Sequence, residues 1–271
     1  MSSAYQRELT PIAAAGWSTA VVVAFIVLHA LSGGREDVAP DVLSFGLAMA
    51  VAHFGIAFVA IRVHAPEGSL RVIFGLGSPK TLDFCAAIAV GVGIVPLIDR
   101  LDTLAARRFP QTASEAAANA LMFANGTPGQ RLKIGVVSVL LFPLAQELFF
   151  RGLIFSGLSS RSSGRSLVPV VVSTIAFALS WVSPRAIIPM VAFGLVLGCV
   201  RAWSQSVAVS MVAHASYLLI AALPLLQGKA QEASIAFSLR QIVAMTIAAV
   251  LALAVLWMRR GSTSVEDGSA H

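Results

Sequence analysis

The chain of 271 residues is too apolar and too weakly charged for a water-soluble protein. Hydrophobic residues make up 57% of it and charged residues 12%, and the mean hydropathy is +0.84, whereas soluble domains carry roughly 45–50% apolar and about 25% charged residues. So few charges cannot cover a water-facing surface, and the high hydrophobicity also excludes intrinsic disorder. The composition therefore predicts a polytopic membrane protein.

The basic excess of the chain is better explained by a membrane than by nucleic acid. The 19 Lys and Arg residues outnumber the 13 Asp and Glu residues, which gives a net charge of +6. The basic residues are scattered singly or in pairs, as is typical of residues that flank membrane spans and contact lipid headgroups. We therefore expect the lipid bilayer, and no nucleic acid, among the binding partners.

Apolar runs of about 20 residues, the length that crosses a bilayer as a helix, predict an all-α fold with about eight transmembrane helices. The first run is longer than the apolar part of a signal peptide and is not followed by a small-residue cleavage site, so we expect a span there. The predicted spans are Pro11–Ser32, Val42–Val63, Leu82–Ile98, Ile134–Leu158, Leu167–Val182, Ala186–Val200, Val207–Leu226 and Gln241–Met258.

One long polar segment, residues 99–133, lies between the third and fourth predicted spans. Its Ala-rich part, Ser114–Phe123, predicts either a surface loop with a helical turn or a short helix on the membrane surface that lines an entrance. The chain is thus expected to divide into an N-terminal membrane region (1–133), a core (134–226), a C-terminal span (227–258) and a polar tail (259–271).

The distribution of basic residues between the loops predicts the orientation. Eight spans put both termini on one side, and the short loops on that side carry more Lys and Arg, which predicts cytoplasmic termini in a cytoplasmic (inner) membrane. The basic residues counted on the terminal side are Arg7, Arg62, Arg71, Lys80, Arg161, Arg165, Arg201, Arg259 and Arg260, and those on the opposite side are Arg35, Arg185, Lys229 and Arg240.

The fourth predicted span contains two charged residues, Glu147 and Arg151, within the sequence FPLAQELFFRG at 142–152. Because they are four residues apart, their side chains share one helix face and can pair. Ionisable residues inside a span are costly and are functional candidates by default. Pro143, one turn earlier, leaves a backbone carbonyl without its usual donor. The residues alone leave two interpretations open, a structural ion pair near a kink and a functional site.

The remaining chemistry-bearing residues give weaker indications. His214 in the seventh span is either a hydrogen-bonding packing residue or a catalytic one, and His29 and His53 are expected to pack. Cys85 and Cys199 lie in apolar stretches, as is typical of small buried residues. No HExxH, GxSxG or Ser–Lys pattern is present, so we expect no metal site, no cofactor and no serine nucleophile. Carboxylate and histidine acting on water is the chemistry that remains.

Three short patterns resemble the motifs of the CAAX-protease and bacteriocin-processing (CPBP) family of glutamic intramembrane endopeptidases, which includes CAAX prenyl protease 2 and lysostaphin-resistance protein A. The family motifs are EExxxR followed by Gly, then FxxxH, then HxxxN. This chain has QELFFRG at 146–152, FALSW at 177–181 and HASYL at 214–218. The resemblance covers about residues 134–226 and implies a CPBP-type helical core.

In that family the first Glu of EExxxR and the His of FxxxH activate water, the His and Asn of HxxxN stabilise the oxyanion, and the Arg orders the site. The resemblance implies retained catalytic residues at Glu147, Arg151 and His214, substituted catalytic positions at Gln146, Trp181 and Leu218, and motif scaffold at Gly152 and Phe177.

The three substitutions remove the groups that the family chemistry requires. The amide of Gln146 cannot take a proton from water at neutral pH, and the indole of Trp181 donates one hydrogen bond, accepts none and takes the space of the water. Leu218 offers no donor to an oxyanion, and the loss of one such donor typically costs about 10²–10³ in rate.

Three functions remain as hypotheses. The first is a catalytically inactive family member, a pseudoprotease that binds a membrane-embedded protein segment or an active protease paralogue. The second is an active endopeptidase with Glu147 as base and His214 as its partner, although adjacent helical side chains point about 100° apart. The third is a transporter-like membrane protein with a coincidental motif match.

Overall fold

The computed structural model describes residues 9–33, 41–159, 167–229 and 237–266. These segments form eleven helices, of which the sixth runs without a break through alternating α- and π-helical turns. The helices are α1 (Pro11–Gly33), α2 (Val42–His64), α3 (Leu70–Ile73), α4 (Thr81–Arg108), α5 (Ala113–Met122), α6 (Pro128–Ser159), α7 (Val168–Leu179), α8 (Pro184–Ser204), α9 (Val207–Ala221), α10 (Leu223–Leu226) and α11 (Leu239–Glu266).

Every one of the eight predicted spans coincides with a helix, which confirms the all-α polytopic fold. Among the described residues, six helices are long and apolar enough to cross a bilayer: α1, α2, α4, α6, α8 and α11. The other two, α7 and α9, are apolar but have 12 and 15 residues. At 1.5 Å per residue they reach about 18 Å and about 22 Å, which is less than the ~30 Å hydrocarbon core.

The boundaries differ most from the sequence prediction at the C-terminal ends of α4 and α11. Helix α4 continues ten residues past Ile98, to Arg108, into the segment that was expected to be polar loop. The extension is helical although it is charged, and its Asp102 forms an ion pair of 2.6 Å with Arg185 at the start of α8. A search for apolar runs stops at the first charged residues, so it does not detect a helix end that is itself charged. Helix α11 likewise continues to Glu266, and residues 267–271 of the predicted tail lie outside the described residues.

The predicted polar segment also contains α5, which begins at Ala113 with a complete capping box. The hydroxyl of Thr112 accepts from the Glu115 N–H at 3.3 Å, and the Glu115 carboxylate accepts from the Thr112 N–H at 2.8 Å. These hydrogen bonds, led by the backbone one, hold the pKa of Glu115 below its ordinary value. The expected short helix at Ser114–Phe123 is therefore present.

Helix α4 lies at the centre of the bundle, where α8, α9 and α11 pack against it. Two glycines permit this approach. A Cβ on Gly91 would meet the backbone oxygen of Ala213 in α9, and one on Gly93 would come within 2.5 Å of the Met245 oxygen in α11. The ion pair of Asp83 with Arg259, at 3.2 Å, joins the start of α4 to the far end of α11. The two helices therefore run antiparallel.

Helix α6 carries the motif region into the core. Its Phe149, Phe150, Leu153 and Ile154 are each at most 1% exposed. The turn that holds residues 142–147 lies between two π-helical stretches, and the Phe142 N–H bonds to the carbonyl of Val137, five residues back. Because Pro143 cannot donate a backbone hydrogen bond, the ladder is already interrupted there.

Candidate functional site

The charged pair of α6 forms in the structure. Arg151 Nη1 lies 3.3 Å from Glu147 Oε1, and both side chains are fully buried. This is the pairing that the spacing of four residues predicts. Since no water reaches either group, each charge depends on the other for its stability.

His214 joins this pair from α9. Its Nδ1 lies 3.0 Å from Glu147 Oε1 and donates to that carboxylate oxygen. One oxygen atom of Glu147 thus faces both the guanidinium and the imidazole. We call Glu147, Arg151 and His214 the buried triad.

The remaining contacts of the triad are with α7 and α8. Arg151 Nη2 donates to the carbonyl of Gly194 at 3.1 Å, and the guanidinium carbon lies 4.4 Å from the centre of the Phe177 ring. Phe177 is fully buried and also packs edge-on against His214, with ring centroids 6.1 Å apart. The motif phenylalanine therefore holds the triad against α7 by a cation–π contact and an aromatic contact.

The triad is closed to solvent. Glu147 and Arg151 are 0% exposed and His214 is 1% exposed. A general base must reach the proton that it removes, either directly or through one water. Enclosed in this way, the triad connects α6 and α9 with α7 and α8, and all three of its side chains are buried.

A separate small chamber lies beside the triad, and Gln146 and Trp181 both line it. Its volume is about 80 Å³, which is room for a few waters or one small side chain. His53 from α2 lines the same chamber, between walls formed by Phe142 of α6 and Phe25 of α1.

His53 has one ring nitrogen engaged and one without a partner. Its Nδ1 donates to the carbonyl of Met49 at 2.8 Å, so the Nε2 of the neutral ring is an acceptor. His53 Nε2 and Gln146 Oε1 are both buried without a hydrogen-bond partner. Two residues of the chamber wall thus each carry one buried acceptor without a partner, in apolar surroundings.

The turn after α7 positions Trp181 at the chamber. Val182 adopts a φ of 49°, a left-handed conformation that is strained for a β-branched residue. Trp181 itself remains 38% exposed, so its indole forms part of the wall and does not fill the chamber.

The structure thus separates the predicted site residues into two groups. Glu147, Arg151 and His214 meet in the triad, whereas Gln146 and Trp181 meet at the chamber. Among the described residues, the lining of the chamber does not include His214 or Leu218.

Leu218 and Gly152 lie in packing positions. Leu218 packs against an apolar cluster around Phe142 and Ala145. A Cβ on Gly152 would come 2.8 Å from the ring of Phe74, so this glycine permits a close contact between α6 and the residue that follows α3.

His53 belongs to this site, although its sequence context indicated only a packing residue. Phe45, Met49 and His53 recur every four residues in α2, and all three line the chamber. That spacing places them on one helix face, but the sequence offers no sign that this face meets Gln146.

An apolar groove lies next to the chamber. It lies between α1 and α7, has a volume of about 440 Å³, and shares Val22 and Ser180 with the chamber wall. Among the described residues that line either cavity there is no Asp, Glu, Lys or Arg.

Fold and site together define the class of the protein. It is an all-α integral membrane protein with a buried Glu–Arg–His triad next to a small, mainly apolar chamber. Residues 128–220, from the start of α6 to the end of α9, match the family model described as type II CAAX prenyl endopeptidase Rce1-like. The match confirms the predicted resemblance to the CPBP-type membrane proteases over these residues, which are about a third of the chain. No curated protein and no solved structure shows a significant similarity to the chain.

Proposed function

We propose that this protein is a catalytically inactive relative of the CPBP proteases, and that it binds a membrane-embedded segment of another protein without cleaving it. The observation that carries the proposal is the chamber at Gln146. At the position where the family has its water-activating Glu, this chain presents an uncharged amide opposite an indole. Neither group can take a proton from water.

The buried triad supports the same conclusion. An active enzyme that used Glu147 as base and His214 as its partner would need water between them and the substrate. The two side chains instead bond to each other at 3.0 Å and are at most 1% exposed. Their closure favours a structural role, since a buried ion pair with hydrogen bonds can hold helices in one arrangement.

The groove between α1 and α7 supports binding. Small side chains line it, including Ala15, Ser18 and Ala176, and small residues let the backbones of membrane helices approach closely. A transmembrane segment of a substrate-like protein, or of an active protease paralogue, is the partner that we propose for it.

We further propose that the termini lie on the cytoplasmic side of a cytoplasmic membrane. Three ion pairs are consistent with the predicted topology, because each joins residues assigned to the same side. Asp83 pairs with Arg259 on the terminal side, while Lys133–Asp41 and Arg185–Asp102 lie on the other. Labelling of single cysteines introduced at positions 262 and 112 with a membrane-impermeant maleimide tests this orientation.

Site-specific cross-linking tests the proposed binding. A photoreactive residue replaces Ile175, which lines the groove, in the full chain reconstituted in liposomes with a biotinylated apolar transmembrane peptide. The matched control replaces Leu251 on α11, which is 61% exposed against 48% for Ile175. We expect several-fold more cross-linked peptide at Ile175. Equal yields at the two positions would contradict binding in the groove.

A further inference from the structure

We propose that the chamber recognises an uncharged hydrogen-bond donor, such as an Asn side chain, on a transmembrane segment that lies in the groove. This inference rests on the proposed function and names the feature of the bound segment that the site selects.

The first support is the pair of unsatisfied acceptors. His53 is 4% exposed and Gln146 is 6% exposed, yet neither His53 Nε2 nor Gln146 Oε1 has a donor. Buried polar atoms in folded proteins are nearly always hydrogen-bonded, so an unpaired one needs an explanation, and a bound partner outside the chain is one such explanation. The primary amide of Asn carries two N–H donors, one for each acceptor.

The second support is the absence of compensating charge. Neither cavity has an Asp, Glu, Lys or Arg among its described lining residues. A charged group in the chamber would have no counterion in surroundings of low dielectric. A carboxylate would in addition face two acceptors. The donor is therefore uncharged.

The third support is the shape of the two cavities. The chamber, at about 80 Å³, is smaller than the ~150 Å³ cavity that holds benzene and larger than the ~10–15 Å³ needed for one water. A small polar side chain fits this range. Because Val22 and Ser180 line both cavities, the chamber is adjacent to the groove and within reach of a side chain from a helix that lies there.

The nature of the groove favours a helix over a lipid chain as its occupant. Small residues line part of it on both sides: Ala15, Ser18 and Thr19 on α1, Ala176 on α7, and Ser180 directly after α7. Small residues of this kind are typical of helix–helix contacts in membranes. The unsatisfied acceptors at its inner end then add selectivity for one side chain of that helix.

A binding series with defined peptides tests the inference. The full chain is reconstituted in liposomes and titrated, by energy transfer, with apolar transmembrane peptides that carry Asn, Leu or Lys at one of three central depths. At its best depth we expect the Asn peptide to bind about three- to thirtyfold more tightly than the Leu peptide, the range given by one or two interhelical hydrogen bonds. The Lys peptide is expected to bind no more tightly than the Leu peptide.

Variants locate the preference. Gln146→Leu and His53→Phe are each expected to reduce it towards onefold, whereas His29→Phe, at a histidine that lines neither cavity among the described residues, keeps it. Equal binding of the Asn and Leu peptides by the natural chain would overturn this inference and leave the proposed function standing. Failure of every peptide to bind would overturn both. Hexadecanol, a lipid-like alcohol with one hydroxyl donor, serves as a competitor for the chamber. If it removes the preference for Asn while the peptide stays bound, the chamber binds a lipid and the inference is overturned.

Discussion

Gln146 and Glu147 are neighbours in the chain, but their side chains face different surroundings. Gln146 lines a chamber that lies next to the groove, whereas Glu147 is fully buried against Arg151 and His214. Successive residues of a helix point about 100° apart, so neighbouring positions of α6 face the chamber and the buried ion pair. The substitution in this chain falls on the position that faces the chamber, and the carboxylate that remains is the one that holds the helices.

The buried triad is expected to behave as a structural ion pair in a double-mutant cycle. Glu147→Leu alone leaves the Arg151 guanidinium buried without its counterion, and Arg151→Met alone leaves the carboxylate in the same state. Each change is expected to cost about 3–5 kcal/mol in the free energy of unfolding. The double variant is expected to be more stable than either single variant, because no unpaired charge remains. Denaturant titration in detergent measures all three variants.

The exposed pair Asp102–Arg185 serves as the control for this cycle. Its side chains are 45% and 29% exposed, so Asp102→Leu, Arg185→Met and the double variant are each expected to change stability by about 1 kcal/mol at most. If the Glu147→Leu, Arg151→Met double variant lost as much unfolding free energy as the two single variants together, this would argue against a buried pair.

The close approach of α4 and α9 depends on Gly91. An added Cβ would meet the backbone oxygen of Ala213, which cannot move aside as a side chain could. Gly91→Ala is therefore expected to lower stability by about 1–3 kcal/mol. Gly16→Ala in α1 is the matched control. No atom lies within 4 Å of its added Cβ, so helix propensity makes this change neutral or slightly stabilising. An equal melting temperature for the two variants would contradict the packing described here.

The start of α5 should respond to pH through Glu115. Hydrogen bonds from the Thr112 N–H and hydroxyl lower the pKa of this carboxyl below its ordinary value of 4.5. A lowered pKa in the folded state stabilises the helix above the unfolded pKa, and this contribution is lost as the pH falls through the folded value. Hydrogen-exchange protection of residues 113–122 is thus expected to decline below about pH 4.5.

Glu115→Gln keeps an acceptor at the same place without a titrating group, and it is expected to remove this decline. Glu67→Gln, which lies outside α5, should leave it unchanged. An identical pH profile in the natural chain and in Glu115→Gln would refute the assignment.

Sequence alone predicts the local features of this protein well. Eight of the eleven helices among the described residues follow from apolar runs, and the Glu147–Arg151 pair follows from a spacing of four residues on one helix. The meeting of Glu147 with His214, 67 residues away, was predicted only as a hypothesis that rested on the family resemblance. The place of His53 beside Gln146 was not predicted, because the packing of α2 against α6 leaves no periodic sign in either helix. Helix α4 exceeds its predicted length because residues 99–108, whose charges end the apolar run, are also helical.

Hydrolysis of membrane-anchored, quenched fluorescent peptides by the natural chain in liposomes tests the central claim most directly. An active CPBP protease run in parallel verifies the assay. A triple variant carries the family residues at the three substituted positions: Gln146→Glu, Trp181→His and Leu218→Asn. We expect this variant to gain activity, because the family's base, its partner and an oxyanion donor are then present in the chain. For the natural chain we predict no cleavage above that of empty liposomes. Cleavage by the natural chain that disappears in folded Glu147→Gln and His214→Phe variants would contradict this account.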